Sequence, residues 1–334
     1  MDQYMLEIRD LHVHFRGYEG VARVLDGVSL DVRRGEQVGL AGETGCGKTV
    51  TMKTVMGTLK IPPAIIPKGE VIFDGQNVLE MSEKQLLQMK GTKVSMIFQD
   101  PMNALNPVFA VGTQLFDVIR FSHPRSGNGG KLSKRQIFNR AVAALEEVRL
   151  PDTKRILSSY PLELSGGMRQ RVLIAMALVN GPSFLIADEP QTALDVTIGA
   201  QILELLSELV RTKEISVMLI THNLGVILET TARVYIMYAG QVAETAPTAL
   251  LFENPKHPYS QGLLASVPRL TGGEIAQGIR GTVPDYTTVP SGCRFHPRCD
   301  YVMPICSEKK PPLLPAGPDH FVGCWLYAKG GAAE

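Results

Sequence analysis

The sequence predicts an α/β fold, and three stretches carry that prediction. In each, a short apolar run of the kind that forms a buried strand ends in residues able to do chemistry. Val38, Gly39, Leu40 and Ala41 run into Gly42-Glu43-Thr44-Gly45-Cys46-Gly47-Lys48-Thr49, after which Met52, Val55 and Met56 recur at helical spacing. Phe184, Leu185, Ile186 and Ala187 end in Asp188-Glu189, and Val217, Met218, Leu219 and Ile220 end in Thr221-His222. Strand, glycine-rich loop and helix in that order make a phosphate-binding loop. Its glycines let successive backbone N–H groups turn toward a polyphosphate, and the helix N-terminus adds its positive end. Lys48 bridges the outer phosphates, and the Thr49 hydroxyl suits Mg²⁺.

Composition bounds the rest. A chain of 334 residues with 44% apolar content holds one large or two modest domains with a full core. Lys+Arg 34 against Asp+Glu 33 makes no overall basic field, so a broad grip on nucleic acid is not expected. No secretory signal is read at Met1-Asp2-Gln3-Tyr4, and no apolar run approaches the ~18 residues of a membrane span. A cytosolic protein is expected. Cys293, Cys299, Cys306 and Cys324 crowd the C-terminal end, and in a reducing compartment metal binding is favoured there over disulfides. Their spacing is not the tight pair of most zinc ribbons. Four thiolates suit either a tetrahedral Zn²⁺ or a 4Fe-4S cluster, and ligand count alone does not choose between them. The surrounding tail is low in apolar periodicity, so it is expected to need the metal to hold its shape.

In chain order, Leu6, Ile8, Leu11, Val13 and Phe15, then Val28, Leu30 and Val32, show the two-residue period of half-buried strands. They predict an antiparallel sheet ahead of the phosphate loop. Asp74-Gly75 adds a hairpin signal within Val71 to Val78. Phe15 or Tyr18 can stack on an adenine face, or Phe15 can fill the core. Val94 to Phe98 is a second buried strand, and Gln99 at its end can reach Mg²⁺ and the attacking water. Leu115, Val118 and Ile119 open a helical region, a polar loop spans Ser122 to Gly130, and Ser133 with Gln136 forms a capping box for the next helix. A helical subdomain is thus inserted between the two halves of the core.

Leu164-Ser165-Gly166-Gly167-Met168 begins another helix, with Ser165 as N-cap and Met168, Val172, Ala175 and Met176 as its apolar face. It is a second anion-binding helix start in a chain that already has one, which makes sense if it caps a nucleotide held by another chain. Asp188 is placed to bind Mg²⁺ through water, and Glu189 can polarise the water that attacks the γ-phosphate. After Asp195 a helix buries Ile198, Ile202, Leu205, Leu206 and Leu209. His222 can hydrogen-bond a γ-phosphate or hold the base in register.

The set GETGCGKT, Gln99, LSGGM, LIADE, TALD and THN resembles the ATP-binding cassette of ABC transporters in order, spacing and context, over nearly all of residues 5 to 245. The resemblance implies a P-loop NTPase with a RecA-like core, an antiparallel β subdomain and a helical subdomain at about 100–180. It makes Gly42 to Thr49 the Walker A loop, Gln99 the Q-loop, Ser165 to Met168 the signature, Asp188 the Walker B aspartate, Glu189 the general base, Asp195 part of the D-loop and His222 the switch histidine. Met168 stands where many cassettes have Gln, Cys46 where Ser is usual, Gln191 where Thr is common and Asn223 where Asp follows the histidine. None of these departures removes a metal or proton-transfer group. Residues 254–264, 292–299, 97–107 (IFQDPMNALNP) and 193–197 (ALDVT) are similar to the dipeptide and oligopeptide importer ATPases. That subgroup implies an ATPase domain over 1–245 and an extension over 246–334 that carries a 4Fe-4S cluster on the four cysteines.

The resemblance further implies ATP and Mg²⁺, a second homologous ATPase subunit, two transmembrane permease subunits, an extracytoplasmic solute-binding protein acting indirectly, and a peripheral place on the cytoplasmic face of the membrane. ATP closes two cassettes on each other and hydrolysis releases them. The rival reading is a soluble ABC ATPase acting on DNA or ribosomes. Such proteins carry a long coiled coil between loop and signature, or two cassettes in one chain, and this chain has neither. A P-loop kinase would lack the signature.

Overall fold

The structure is a computed structural model and describes residues 3–18, 20–122, 131–192, 194–266 and 278–328. The chain divides into two compact units, one of Met1–Arg33, Gln37–Leu79 and Leu219–Glu334, the other of Arg34–Glu36 and Glu80–Met218.

In the first unit, β1 (Tyr4–Gly17) and β2 (Gly20–Arg33) pair antiparallel, with Leu6 opposite Val32 and Phe15 opposite Ala22. The alternation read from the sequence buries Leu6, Ile8, Leu11, Val13, Val28, Leu30 and Val32. After β3 (Gln37–Ala41), the glycine-rich loop leads into α1 (Lys48–Val55). Next, β4 (Ala64–Phe73) pairs with β1 and turns at Asp74-Gly75 into β5 (Gln76–Asn77). Both turn residues have positive φ, 49° and 76°, as a two-residue hairpin requires.

The second unit holds α2 (Glu83–Met89), β6 (Val94–Ile97), α3 (Pro101–Ala104), α4 (Val111–Ser122), α5 (Lys134–Glu147), α6 (Thr153–Ser158), α7 (Gly166–Leu178), β7 (Phe184–Asp188) and α8 (Val196–Thr212). Strands β6 and β7 run parallel, with Ile97 opposite Ala187. Ser133 and Gln136 cap α5 reciprocally, as expected. Helix α7 departs from the one-sided reading. Leu173, Ile174, Ala177 and Leu178 are buried along with Val172 and Ala175, so it is a central helix wrapped by its neighbours, while Met168 and Met176 are only half-buried. Ile198, expected in the core, is half-buried too. The polar loop expected from Ser122 lies beyond that residue outside the described residues.

Strand β8 (Ser216–Ile220) carries the chain back to the first unit, which continues with α9 (Leu224–Thr230), β9 (Arg233–Tyr238), β10 (Gln241–Pro247), α10 (Thr248–Glu253), α11 (Pro258–Ala265), α12 (Pro304–Glu308), β11 (Leu314–Gly317) and β12 (His320–Val322). Strand β9 lies parallel to β3 and folds through Ala239-Gly240 onto β10. The C-terminal β12 then extends this sheet, with Glu244 opposite Val322, and β11 pairs with β12.

This docking corrects the expectation of a metal-cluster extension. Among the described residues no group of three or more His, Cys, Asp or Glu side chains could hold a metal ion, so neither a 4Fe-4S cluster nor zinc is placed on Cys293, Cys299, Cys306 and Cys324. The tail instead shares the core of its unit. Rings of Tyr238 and Tyr259 lie 4.7 Å apart and those of Tyr238 and Phe295 5.0 Å apart, and Cys293 and Cys299 pack against this cluster. Cys306 and Cys324 are buried as well. Burial pushes the thiols of Cys293 and Cys324 up to about 11. They serve as small apolar side chains. A buried hydrogen-bond cluster completes the attachment: the Glu244 carboxylate accepts from Lys256 N at 2.7 Å, His257 N at 2.9 Å and His320 Nε2 at 2.6 Å.

Candidate nucleotide site

The phosphate loop lies wholly in the first unit. Gly42 and Gly47 have φ of 147° and 107°, a region closed to other residues. At Gly42 space is closed as well, since a Cβ there would lie 2.1 Å from the Met237 carbonyl oxygen. At Gly45 nothing lies within 4 Å of such an atom, so the turn opens onto free space. Helix α1 starts from Gly47 with no side-chain cap, which leaves its first N–H groups for an anion. Lys48 is 8% exposed, and its ammonium donates to the carbonyls of Gly42 (2.7 Å) and Glu43 (3.1 Å), inside the cradle. Burial raises the Cys46 thiol beneath it, against the pull of Lys48. Thr44 and Thr49 are exposed on the loop.

Other expected residues of this unit are more loosely placed. Phe15 is half-buried near the end of β1, whereas Tyr18 is fully exposed at 111%. His222 is exposed, next to Asn223, whose side chain caps α9 by accepting from Gly225 N and Val226 N.

The second unit gathers its own set at the ends of β6 and β7. Asp188 is buried, and Glu189 follows at φ 45°, a strained conformation for a side chain of its size and one found at functional sites. The Glu189 carboxylate accepts from Gln99 Nε2 at 2.8 Å and from the Thr192 hydroxyl at 3.0 Å. Two residues singled out separately in the sequence thus meet here. Ser165 caps α7 by accepting from Met168 N at 3.3 Å. A Cβ at Gly167 would lie 2.7 Å from Ile198 Cγ2, so this helix start presses against the first turn of α8. Asp195 caps α8, accepting from Ile198 N at 2.9 Å.

Residues 25–192 match the family model of the ABC transporter, and 243–306 match that of the oligopeptide/dipeptide transporter C-terminal region. The chain is 45% identical to a probable peptide ABC transporter ATP-binding protein, y4tR, of Sinorhizobium fredii, covering 96% of this chain and 94% of that one. It is 44% identical to the oligopeptide transport ATP-binding protein OppD of Bacillus subtilis, over 96% of this chain and 88% of the relative. This chain belongs to the ATP-binding subunits of ABC transporters. Among solved structures, this ABC subunit resembles the dimeric post-hydrolysis state of the cassette MJ0796 bound to ADP and Pi, with a TM-score of 0.64 and 26% identity over 73% of this chain and 99% of that one. CbiO1 of Clostridium perfringens matches with a TM-score of 0.61 and 25% identity over 76% and 92%. The ABC cassette fold is therefore established, as is an ATPase of the peptide-transporter type.

Three residues that touch the loop of this ABC subunit were not read from the sequence. The Tyr259 hydroxyl accepts from Glu43 N at 2.9 Å, the Tyr286 hydroxyl donates to Gly45 O at 2.6 Å, and Arg298 holds the Glu43 carboxylate through both terminal nitrogens, at 2.7 and 3.1 Å. One signal was available: a carboxylate in a phosphate loop calls for a cation. Which cation it would be is not written in any local pattern.

Proposed function

We propose that this chain is the ATP-hydrolysing subunit of a peptide importer, with an ATPase domain over residues 1–245 and an extension over 246–334. The observation that carries the reading is the joining, in one chain, of an ABC cassette to the C-terminal region of oligopeptide/dipeptide transporters, with 96% of the chain aligned to a peptide-transport ATP-binding protein. Dipeptides and oligopeptides are the substrate class. The subunit pairs with a second cassette, docks on two permease subunits at the cytoplasmic face of the membrane, and receives solute through a solute-binding protein. Among the described residues no helix is long and apolar enough to cross a membrane, and in this reading attachment is through the permease subunits.

In this reading residues 42–49 bind the phosphates of ATP, and Phe15 meets the base. Thr49, Gln99 and Asp188 offer a hydroxyl, an amide oxygen and a carboxylate, the all-oxygen set that suits Mg²⁺. That ion would neutralise charge on the outer phosphates. Glu189 takes a proton from the attacking water, while Gln99 and Thr192 hold its carboxylate in place. His222 reaches the γ-phosphate. Ser165, Gly166 and Gly167 act on the nucleotide of the partner cassette, and Asp195 belongs to the same dimer surface. Closure of the partner excludes water and aligns the attack.

Glu189→Gln tests the assignment. Turnover of the assembled transporter should fall by at least about 10²-fold while ATP affinity stays the same. Undiminished hydrolysis would remove Glu189 from the role of base.

A further inference from the structure

The acidic residue inside the phosphate loop is the starting point. Glu43 follows the first loop glycine and brings a negative charge to the place where phosphates bind, a repulsion that weakens binding unless the charge is met. In this structure every polar group of Glu43 has a partner. Its carbonyl accepts from Lys48, its amide donates to the Tyr259 hydroxyl, and its carboxylate is gripped by both terminal nitrogens of Arg298. Two of those three partners, Tyr259 and Arg298, lie in the C-terminal extension.

The grip is built rather than incidental. The Arg298 side chain is 5% exposed, and its guanidinium stands 5.6 Å from the centre of the Tyr238 ring and 6.0 Å from that of Phe295. Its Nε donates to Arg280 O at 2.7 Å, which fixes the plane of the fork. The hydrogen bond to Glu43 holds its pKa above the ordinary arginine range. Beside it, Tyr286 binds the tip of the loop at Gly45 through its hydroxyl, and its carbonyl accepts from Arg23 N of β2 at 2.8 Å.

We propose that the extension is a built-in determinant of nucleotide affinity, in which Arg298 neutralises Glu43 and Tyr259 and Tyr286 hold the loop turn in its phosphate-accepting shape. These are positioning residues. They act through Glu43 and Gly45, and the inference rests on the assignment of residues 42–49 to ATP. It gives the extension a task in the ATPase cycle itself: any partner or ligand that loosens Arg298 from Glu43 lowers ATP affinity at a distance, by restoring a bare carboxylate beside the phosphates.

The test measures ATP affinity on the full chain, and KM and kcat on the assembled transporter, for the wild type, Arg298→Ala, Arg298→Lys, Tyr286→Phe, Glu43→Gln and the double variant Arg298→Ala with Glu43→Gln. Arg298→Ala should raise the Kd for ATP about tenfold and raise KM with it, with kcat changed less than twofold. Arg298→Lys, which keeps the charge, should recover most of the loss. The decisive arm is the double variant: removing the carboxylate's charge should restore affinity to within about twofold of the wild type, which a merely structural role for Arg298 would not do. Tyr286→Phe, which deletes one hydroxyl and leaves the ring, should raise Kd about threefold. Wild-type affinity in Arg298→Ala, or a loss in it that Glu43→Gln leaves uncorrected, overturns the proposal while leaving the nucleotide site intact. A wild-type chain that binds no ATP would overturn the site assignment and this inference together.

Discussion

Two glycine-rich helix starts invite comparison, one in each compact unit. The start of α1 has glycines because its backbone demands them: Gly42 and Gly47 have positive φ, and no side chain caps the helix. The start of α7 has glycines for room. Gly166 and Gly167 are absent from the positive-φ residues, Ser165 caps the helix, and a Cβ at Gly167 would run into Ile198. The first start is therefore an uncapped turn held in a backbone shape that only glycine takes easily, while the second is a capped turn pressed onto a neighbouring helix. Similar strings of letters serve backbone shape in one place and close packing in the other.

The sharpest way to break this contrast is Gly42→Ala. A Cβ there meets Met237 O at 2.1 Å and the φ is 147°, so overpacking and a disfavoured backbone together cost about 3 kcal/mol, equivalent to roughly 100-fold in nucleotide affinity. Titration of the full chain with ATP checks it, and near-normal binding would mean the loop tolerates another backbone.

The support behind the first start is open to pH. His257 is wholly buried and neutral: burial lowers its pKa to about 4, and its Nδ1 accepts from Tyr259 N. Between pH 6.5 and about 4 the unfolded chain binds more protons than the folded one. Stability is therefore full above pH 6.5 and is lost as pH falls through about 4, by roughly 3 kcal/mol from this group. Urea unfolding of the wild type and of His257→Asn at several pH values separates this contribution, and an equal slope in both would refute it.

The smallest effect is expected at the second start. In Gly167→Ala the backbone is unstrained and only Ile198 must yield, a cost of about 1 kcal/mol. ATP binding by the full chain should stay within about twofold of normal, while turnover of the assembled transporter falls about tenfold. Loss of binding equal to that of Gly42→Ala would erase the distinction drawn between the two starts.

Much of the fold was legible in local pattern. Alternating residues mark β1 and β2, Asp74-Gly75 marks a hairpin, and Ser133 and Ser165 mark helix starts, because each of these depends on neighbours within a few positions. Gln99 and Glu189 were singled out separately, yet nothing local shows that they share a hydrogen bond. The C-terminal tail differs from its local pattern for the same reason. Its few apolar residues suggest a segment in need of a metal, but they complete a core begun by Tyr238 and Ala243, and His320 completes a hydrogen-bond cluster begun by Glu244.

By itself the sequence determined the strands, the helix caps and the phosphate loop, since backbone preference and short-range periodicity act along the chain. Only the tertiary structure decided that Arg298 meets Glu43, that Tyr286 meets Gly45 and that four cysteines become apolar filling. Those outcomes depend on which distant surfaces exclude water together, and burial, unlike helix or strand preference, is a property of the packed molecule.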